Sequence, residues 1–229
     1  MAHIDSTTTV ITYGKKGDPY LPGVPSMTED AVTQEFAAWW TSSYSVDFSP
    51  FDSLRTQVGY PNLPRARCDL VFTTDGLVDA PEWALEVKRI QQVGDNGKGN
   101  DYGVAKMLSP YLKDRSLKHD VIRQRDHSFA RRHGVLGYGF SYDLETCEEA
   151  ARLHPDKPEH IKNVRDVLRK NDPNGLSLDT MEIVNAVNTI FVSEGLVVSD
   201  VVTVPTGGLY RHPCGGKGVV FAWEVRLRN

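Results

Sequence analysis

The stretch Arg67-Cys68-Asp69-Leu70-Val71-Phe72-Thr73-Thr74 is followed by a turn region and then by Glu82-Trp83-Ala84-Leu85-Glu86-Val87-Lys88-Arg89-Ile90. Both runs are short and rich in β-branched and aromatic residues. Asp75, Gly76 and Asp79 to Pro81 supply the reversal between them. The pattern predicts two strands of one sheet. Residues i and i+2 of a strand share a face, so Glu86 and Lys88 point together and Val87 points away. If the strands pair, Asp69 comes beside Glu86. Two carboxylates and one ammonium then meet, a constellation suited to a divalent metal with a charged helper.

Outward from this centre the chain reads as alternating helix and strand. Ser26 or Thr28 can cap a helix running to about Trp40, with Glu29 and Asp30 in its first turn. Val32, Phe36, Trp39 and Trp40 form its apolar stripe, and Glu35 lies beside that stripe. Glu35 is thus either at the border of the core or aimed into a cleft. Leu54 to Tyr60 predicts a first strand, ended by Pro61 and Pro64. The Gly-rich run 94–103 reads as a surface loop, and it lacks the Lys-Ser/Thr ending of a phosphate-binding loop. Leu117 to Arg132 predicts a helix, and Val135 to Tyr142 a further strand. Helices are expected at about 159–170 and 178–193. A strand is expected at Val197–Val204, and a terminal hairpin around Cys214 to Lys217. Thr7 to Tyr13 suggests an edge strand within an N-terminal arm, residues 1–27.

Bulk properties limit the functional classes. The chain has 229 residues and a net charge of −4, so any nucleic-acid contact needs a local basic surface. Three cysteines, Cys68, Cys147 and Cys214, make neither a disulfide framework nor a zinc signature. His119, His127 and His133 lack zinc-ligand spacing. No stretch approaches membrane-span length, and a cytoplasmic location is expected.

Paired carboxylates suit Mg²⁺, a hard cation that prefers oxygen ligands. Such an ion can orient water and neutralise charge on a phosphate. Lys88 beside them favours electrostatic stabilisation or water positioning over general-base work, because neighbouring carboxylates oppose the loss of its proton. The segment 113–133 is locally positive. Lys118, Arg125 and Arg132 recur at seven-residue spacing on the predicted helix, and Lys106 precedes them. These four are candidate phosphate contacts.

The ordered set of Asp69, Glu86 and Lys88 resembles the PD-(D/E)xK nuclease superfamily, with Cys68 where that pattern has proline. The resemblance covers roughly residues 28–142. It implies an α/β fold: a restriction-endonuclease-like α-β-β-β-α-β core with a mixed central sheet, helices on both faces and C-terminal additions. The chain then divides into the arm 1–27, a nuclease-like core 28–150, and a helical and β-hairpin addition 151–229 packed on that core. The resemblance further implies Asp69 and Glu86 as metal ligands, with the Val87 carbonyl joining them, Lys88 as catalytic lysine, and Glu35 as the helix acid. The expected function is a Mg²⁺-dependent endonuclease that cuts double-stranded DNA, with a type II restriction enzyme as one form of it. A homodimer would suit two cuts, with the apolar helix near 178–193 as interface or as core. The alternative is a non-catalytic α/β binding or assembly protein whose motif residues form a surface charge network.

Overall fold

A computed structural model describes residues 1–43, 51–74, 81–90, 116–140, 142, 144–153, 155, 158–171, 180–208, 211–214 and 217–227. The chain begins with helix α1 (Ala2–Thr7) and a 3-10 turn (Val24–Ser26). Helix α2 (Glu29–Ser43) leads into β1 (Ser53–Gly59), β2 (Arg67–Thr73) and β3 (Trp83–Ile90). Helix α3 (Leu117–Asp126) and β4 (Arg132–Phe140) follow. Helices α4 (Leu144–Leu153), α5 (Pro158–Asn171) and α6 (Thr180–Ser193) precede β5 (Leu196–Val198), β6 (Val202–Gly208) and β7 (Lys217–Leu227).

The strands join one mixed sheet in the order β1-β2-β3-β4-β7-β5, with β6 also on β7. β1 pairs with β2 and β2 with β3 in antiparallel fashion, and β3 lies parallel to β4. A parallel pair requires a crossover connection, and α3 lies on it. The C-terminal strand β7 pairs along the whole of β4. The last third of the chain therefore extends the sheet itself.

Helices cover both faces. On one, Val32 of α2, Cys147 of α4 and Ile161, Val164 and Leu168 of α5 pack with Leu70, Phe72, Val87, Tyr138 and Phe140. On the other, Leu117 and Val121 of α3 and Val187 and Phe191 of α6 pack with Ile90, Val135, Phe221 and Trp223. Alternation along β3 thus sends Val87 to the first face and Glu86, Lys88 and Ile90 towards the second.

Several local expectations hold. The Thr28 hydroxyl accepts the Ala31 N–H at 3.2 Å and caps α2. Beyond those expectations, β4 takes in Gly134, where a Cβ would meet the Trp223 carbonyl at 2.6 Å. Others need correction. The predicted helix to Arg132 stops at Asp126, where β4 must begin early enough to pair Arg132 with Trp83. The predicted edge strand at Thr7–Tyr13 is replaced by α1 and one bridge, Tyr13 to Pro19. The arm is anchored through Asp5, whose carboxylate accepts the Val24 and Arg211 N–H groups, and through buried Ile4, Leu21 and Val24. The apolar side of α6 is spent on the core, since Ile183, Val187 and Phe191 are buried within the chain. That face is therefore not available as a dimer interface. The expected loop 94–103 and Lys106 lie outside the described residues.

Candidate functional site

Four elements, α2, β1, β2 and α3, converge at the second half of β3. The β2–β3 ladder ends at Leu70↔Leu85. Continued by one step, it would set Asp69 against Glu86. Instead of a backbone carbonyl, Asp69 Oδ2 takes the Val87 N–H at 2.7 Å. Its Oδ1 accepts the Gln57 side-chain amide at 3.0 Å from β1. Asp69 lies near enough for its charge to bear on Glu86. Adjacent strands therefore bring the two acids together as the sequence suggested.

Glu86 is 2% exposed. Its Oε1 accepts the Tyr60 hydroxyl at 2.5 Å and Arg123 Nη1 at 3.2 Å. Tyr60 sits at the end of β1, where its ring carries the Arg123 guanidinium 5.6 Å from the centroid. Arg123 also holds Asp120 Oδ1 at 2.8 Å, three residues earlier on α3. Lys88 lies between two acids: Nζ is 2.7 Å from Asp120 Oδ2 and 3.3 Å from Glu29 Oε1. The second Glu29 oxygen accepts the Arg89 N–H at 2.7 Å.

Burial raises the Glu86 carboxyl well above its ordinary range, and the charges of Asp120 and Asp69 add to the rise. Burial also raises Asp69, against the Val87 amide and the Lys88 charge. Glu29 rises for the same first reason, opposed by Lys88. Burial alone would lower Lys88, but Asp120 and Glu29 offset it and leave the ammonium above its ordinary range. Lys88 is therefore held as a cation between these two acids.

The network is buried, not the surface network of the binding-protein alternative: Lys88 is 9% and Asp120 3% exposed. Glu29, not Glu35, is the α2 acid that reaches Lys88. Glu35 lies six residues further on, roughly 240° around the helix, and is half-buried. Val87 contributes its N–H to Asp69 and its side chain to the core. Cys68 is buried among Tyr60, Val71 and Ala84, a packing role.

Of the expected phosphate contacts, Lys118, Arg125 and Arg132 lie elsewhere, and each already has an acid. Lys118 is 2.7 Å from Glu194, and Arg125 is 2.7 Å from Asp126. Arg132 opens β4 rather than continuing α3. It pairs with Glu224 at 2.8 Å and stacks on Trp83 at 4.0 Å. Arg125 and Arg132 line a cleft of about 370 Å³ with His133, Glu224 and Arg226. That cleft opens at the start of β3 and β4. Lys88 is five residues further along β3, roughly 17 Å at the strand rise.

Sequence reasoning missed Tyr60, Gln57, Asp120 and Arg123 as partners of the acids. One signal was present. Leu117, Asp120, Val121 and Gln124 form the buried stripe of α3 at i, i+3, i+4 and i+7. An aspartate inside a buried stripe requires a cation nearby.

The donor set can be tested against Mg²⁺. Among the described residues, no group of three or more His, Cys, Asp or Glu side chains is placed to hold a metal. Mg²⁺ needs fewer: one or two carboxylates, the remainder being water and substrate oxygen. Asp69 and Glu86 fit that smaller demand, as two carboxylates carried by paired strands, each feeling too little water and too much neighbouring negative charge. Both Glu86 hydrogen bonds fall on Oε1, so Oε2 is its second donor atom. Comparison with protein-family models, with curated proteins and with solved structures returned no match for this chain.

Proposed function

We propose that this chain is a Mg²⁺-dependent endonuclease that hydrolyses phosphodiester bonds of double-stranded DNA, with a restriction enzyme as one form of it. The observation that carries the reading is that paired strands carry Asp69 and Glu86 near one another where the β2–β3 ladder ends, with Lys88 one strand-repeat beyond. The chain order α2-β1-β2-β3-α3-β4, with β3 parallel to β4, supports a restriction-endonuclease-like core.

In this reading Asp69 and Glu86 hold the ion, with the Val87 carbonyl as a third oxygen. When bound, the metal supplies an acidified water and neutralises charge on the scissile phosphate. The chain does the rest. Lys88 keeps its proton and faces the charge that develops on the phosphate oxygens. Tyr60 and Arg123 fix the Glu86 carboxylate through Oε1. Gln57 and the Val87 N–H fix Asp69. Glu29 and Asp120 hold the Lys88 side chain in place.

Supercoiled plasmid incubated with the chain, with and without Mg²⁺, tests this. Cutting that needs Mg²⁺ and falls roughly a thousandfold in Asp69→Ala supports the reading. Cutting that is equal in both proteins, or absent from the wild type on every duplex tried, ends it.

The binding-protein reading has one observation in its favour: each charge of the network already has a protein partner. It predicts no cleavage and a melting temperature indifferent to Mg²⁺.

A further inference from the structure

Gln57 has a backbone that strand residues do not ordinarily adopt. Its φ is +53°, and the other described non-glycine residues with positive φ, Asn62 and Arg65, lie between β1 and β2. The left-handed region is costly for a residue with a long side chain and persists only where the surroundings over-determine it. Here it falls in the middle of β1. The β1–β2 register pairs Thr56 with Leu70 and Val58 with Cys68. Gln57 therefore stands directly opposite Asp69, yet that pair is missing from the register.

Two contacts hold the turned-out residue, and both come from β2. Arg67 Nη1 donates to the Gln57 carbonyl at 2.8 Å. The Gln57 Nε2 amide donates to Asp69 Oδ1 at 3.0 Å. The ladder is given up at one step, and a side-chain donor is aimed at the acid instead. Sheet stability does not ask for this arrangement, since a regular pair would keep the ladder and avoid the left-handed φ.

We infer that Gln57 is a positioning residue for Asp69: its left-handed backbone aims the side-chain amide at Oδ1 and sets the carboxylate's orientation. The inference rests on the nuclease reading above. An amide at that oxygen leaves one lone pair of Oδ1 for another partner, and it stops the carboxylate from rotating about its last bond. Outer partners of this kind tune metal affinity and rate without touching the substrate.

The test uses the full chain and two substitutions that move stability in opposite directions. Gln57→Gly removes the amide and relieves the left-handed backbone, so its melting temperature should equal or exceed that of the wild type. Gln57→Leu removes the amide and keeps the strain, so it should melt lower. Both should cut plasmid about 10- to 100-fold more slowly at saturating DNA, with KM for DNA changed less than twofold. Both should need more Mg²⁺ for half-maximal rate, and Mg²⁺ should raise their melting temperatures less than it raises that of the wild type. A purely structural role predicts that rate follows stability, so that Gln57→Gly cuts as well as the wild type. That result, or an unchanged Mg²⁺ requirement in both variants, overturns the inference while leaving the nuclease reading in place. A wild-type chain that neither cuts nor responds to Mg²⁺ overturns both.

Discussion

Two glutamates of this sheet, Glu86 on β3 and Glu224 on β7, each face arginine and yet behave in opposite ways. Glu224 accepts Arg132 Nε and Nη2, at 3.0 and 2.8 Å, and Arg226 Nη2 at 2.7 Å. Those hydrogen bonds hold its carboxyl down to about 2, against an ordinary 4.5. Glu86 has one arginine at 3.2 Å, a buried site and two further acids near it, and its carboxyl is held up. The difference shows that an arginine nearby does not settle the state of a carboxylate. What settles it is how much water the group has lost and what other charges share the space. A fully charged glutamate at the sheet's outer end makes a surface brace. A glutamate that resists ionisation beside a second acid is a place where a cation would be welcome.

The comparison can be broken most strongly at Lys88. Lys88→Met removes the cation between Glu29 and Asp120 and leaves Asp120 buried without its closest partner. Loss of one member of a buried pair costs about 3–5 kcal/mol, readable as a lower midpoint in urea. Adding Asp120→Leu should recover much of that loss, because a well-packed apolar pair is often as stable as the ion pair it replaces.

Arg123→Met comes next, at about 2 kcal/mol, because it strips charged hydrogen bonds from Glu86 and Asp120 together. Glu86→Gln should separate stability from function. It removes a charge that burial already disfavours, so the urea midpoint should move little, while Mg²⁺-dependent cutting should disappear. A large loss of stability in Glu86→Gln would show that the two glutamates are alike after all.

The pH dependence of the metal-free chain carries opposite signs at the two sites. Glu224 has a folded value below its unfolded one. Its contribution is therefore fully present above the unfolded value and is lost as pH falls towards about 2. Glu86 has a folded value above its unfolded one, so stability falls as pH rises through the gap between them. Urea titrations between pH 2 and 5 should therefore show a flatter acid limb in Glu224→Gln. In Glu86→Gln the decline above that range should be smaller than in the wild type. The smallest effect is expected for Arg132→Ala, about 1 kcal/mol or less, since its partner Glu224 retains Arg226 and exposed pairs are weak.

Much of the centre was legible because strands obey a period of two and pair with their neighbours in sequence. Asp69, Glu86 and Lys88 met because two short runs and one reversal leave little choice of pairing. Helix α2 was legible from Thr28 and its apolar stripe. The acid it delivers was not: Glu35 sits beside the stripe, but Glu29, read as a first-turn acid, faces the end of β3. Which turn of a helix meets which strand depends on the crossing of the two elements, and periodicity does not carry that. Arg132 was misplaced for a related reason. Seven-residue spacing joined it to Lys118 and Arg125, but the need of β4 to pair with Trp83 ended the helix at Asp126.

By itself the sequence determined the alternation of elements and the pairing of the two strands that carry Asp69 and Glu86, because those follow from local periodicity and short connections. Only the tertiary structure decided which charges surround that pair, since Tyr60, Arg123, Asp120 and Glu29 arrive from elements far apart in the chain. It also decided that α6 belongs to the core and that β7 lies beside β4. Long-range packing closes those contacts, and burial sets how strongly each charge acts.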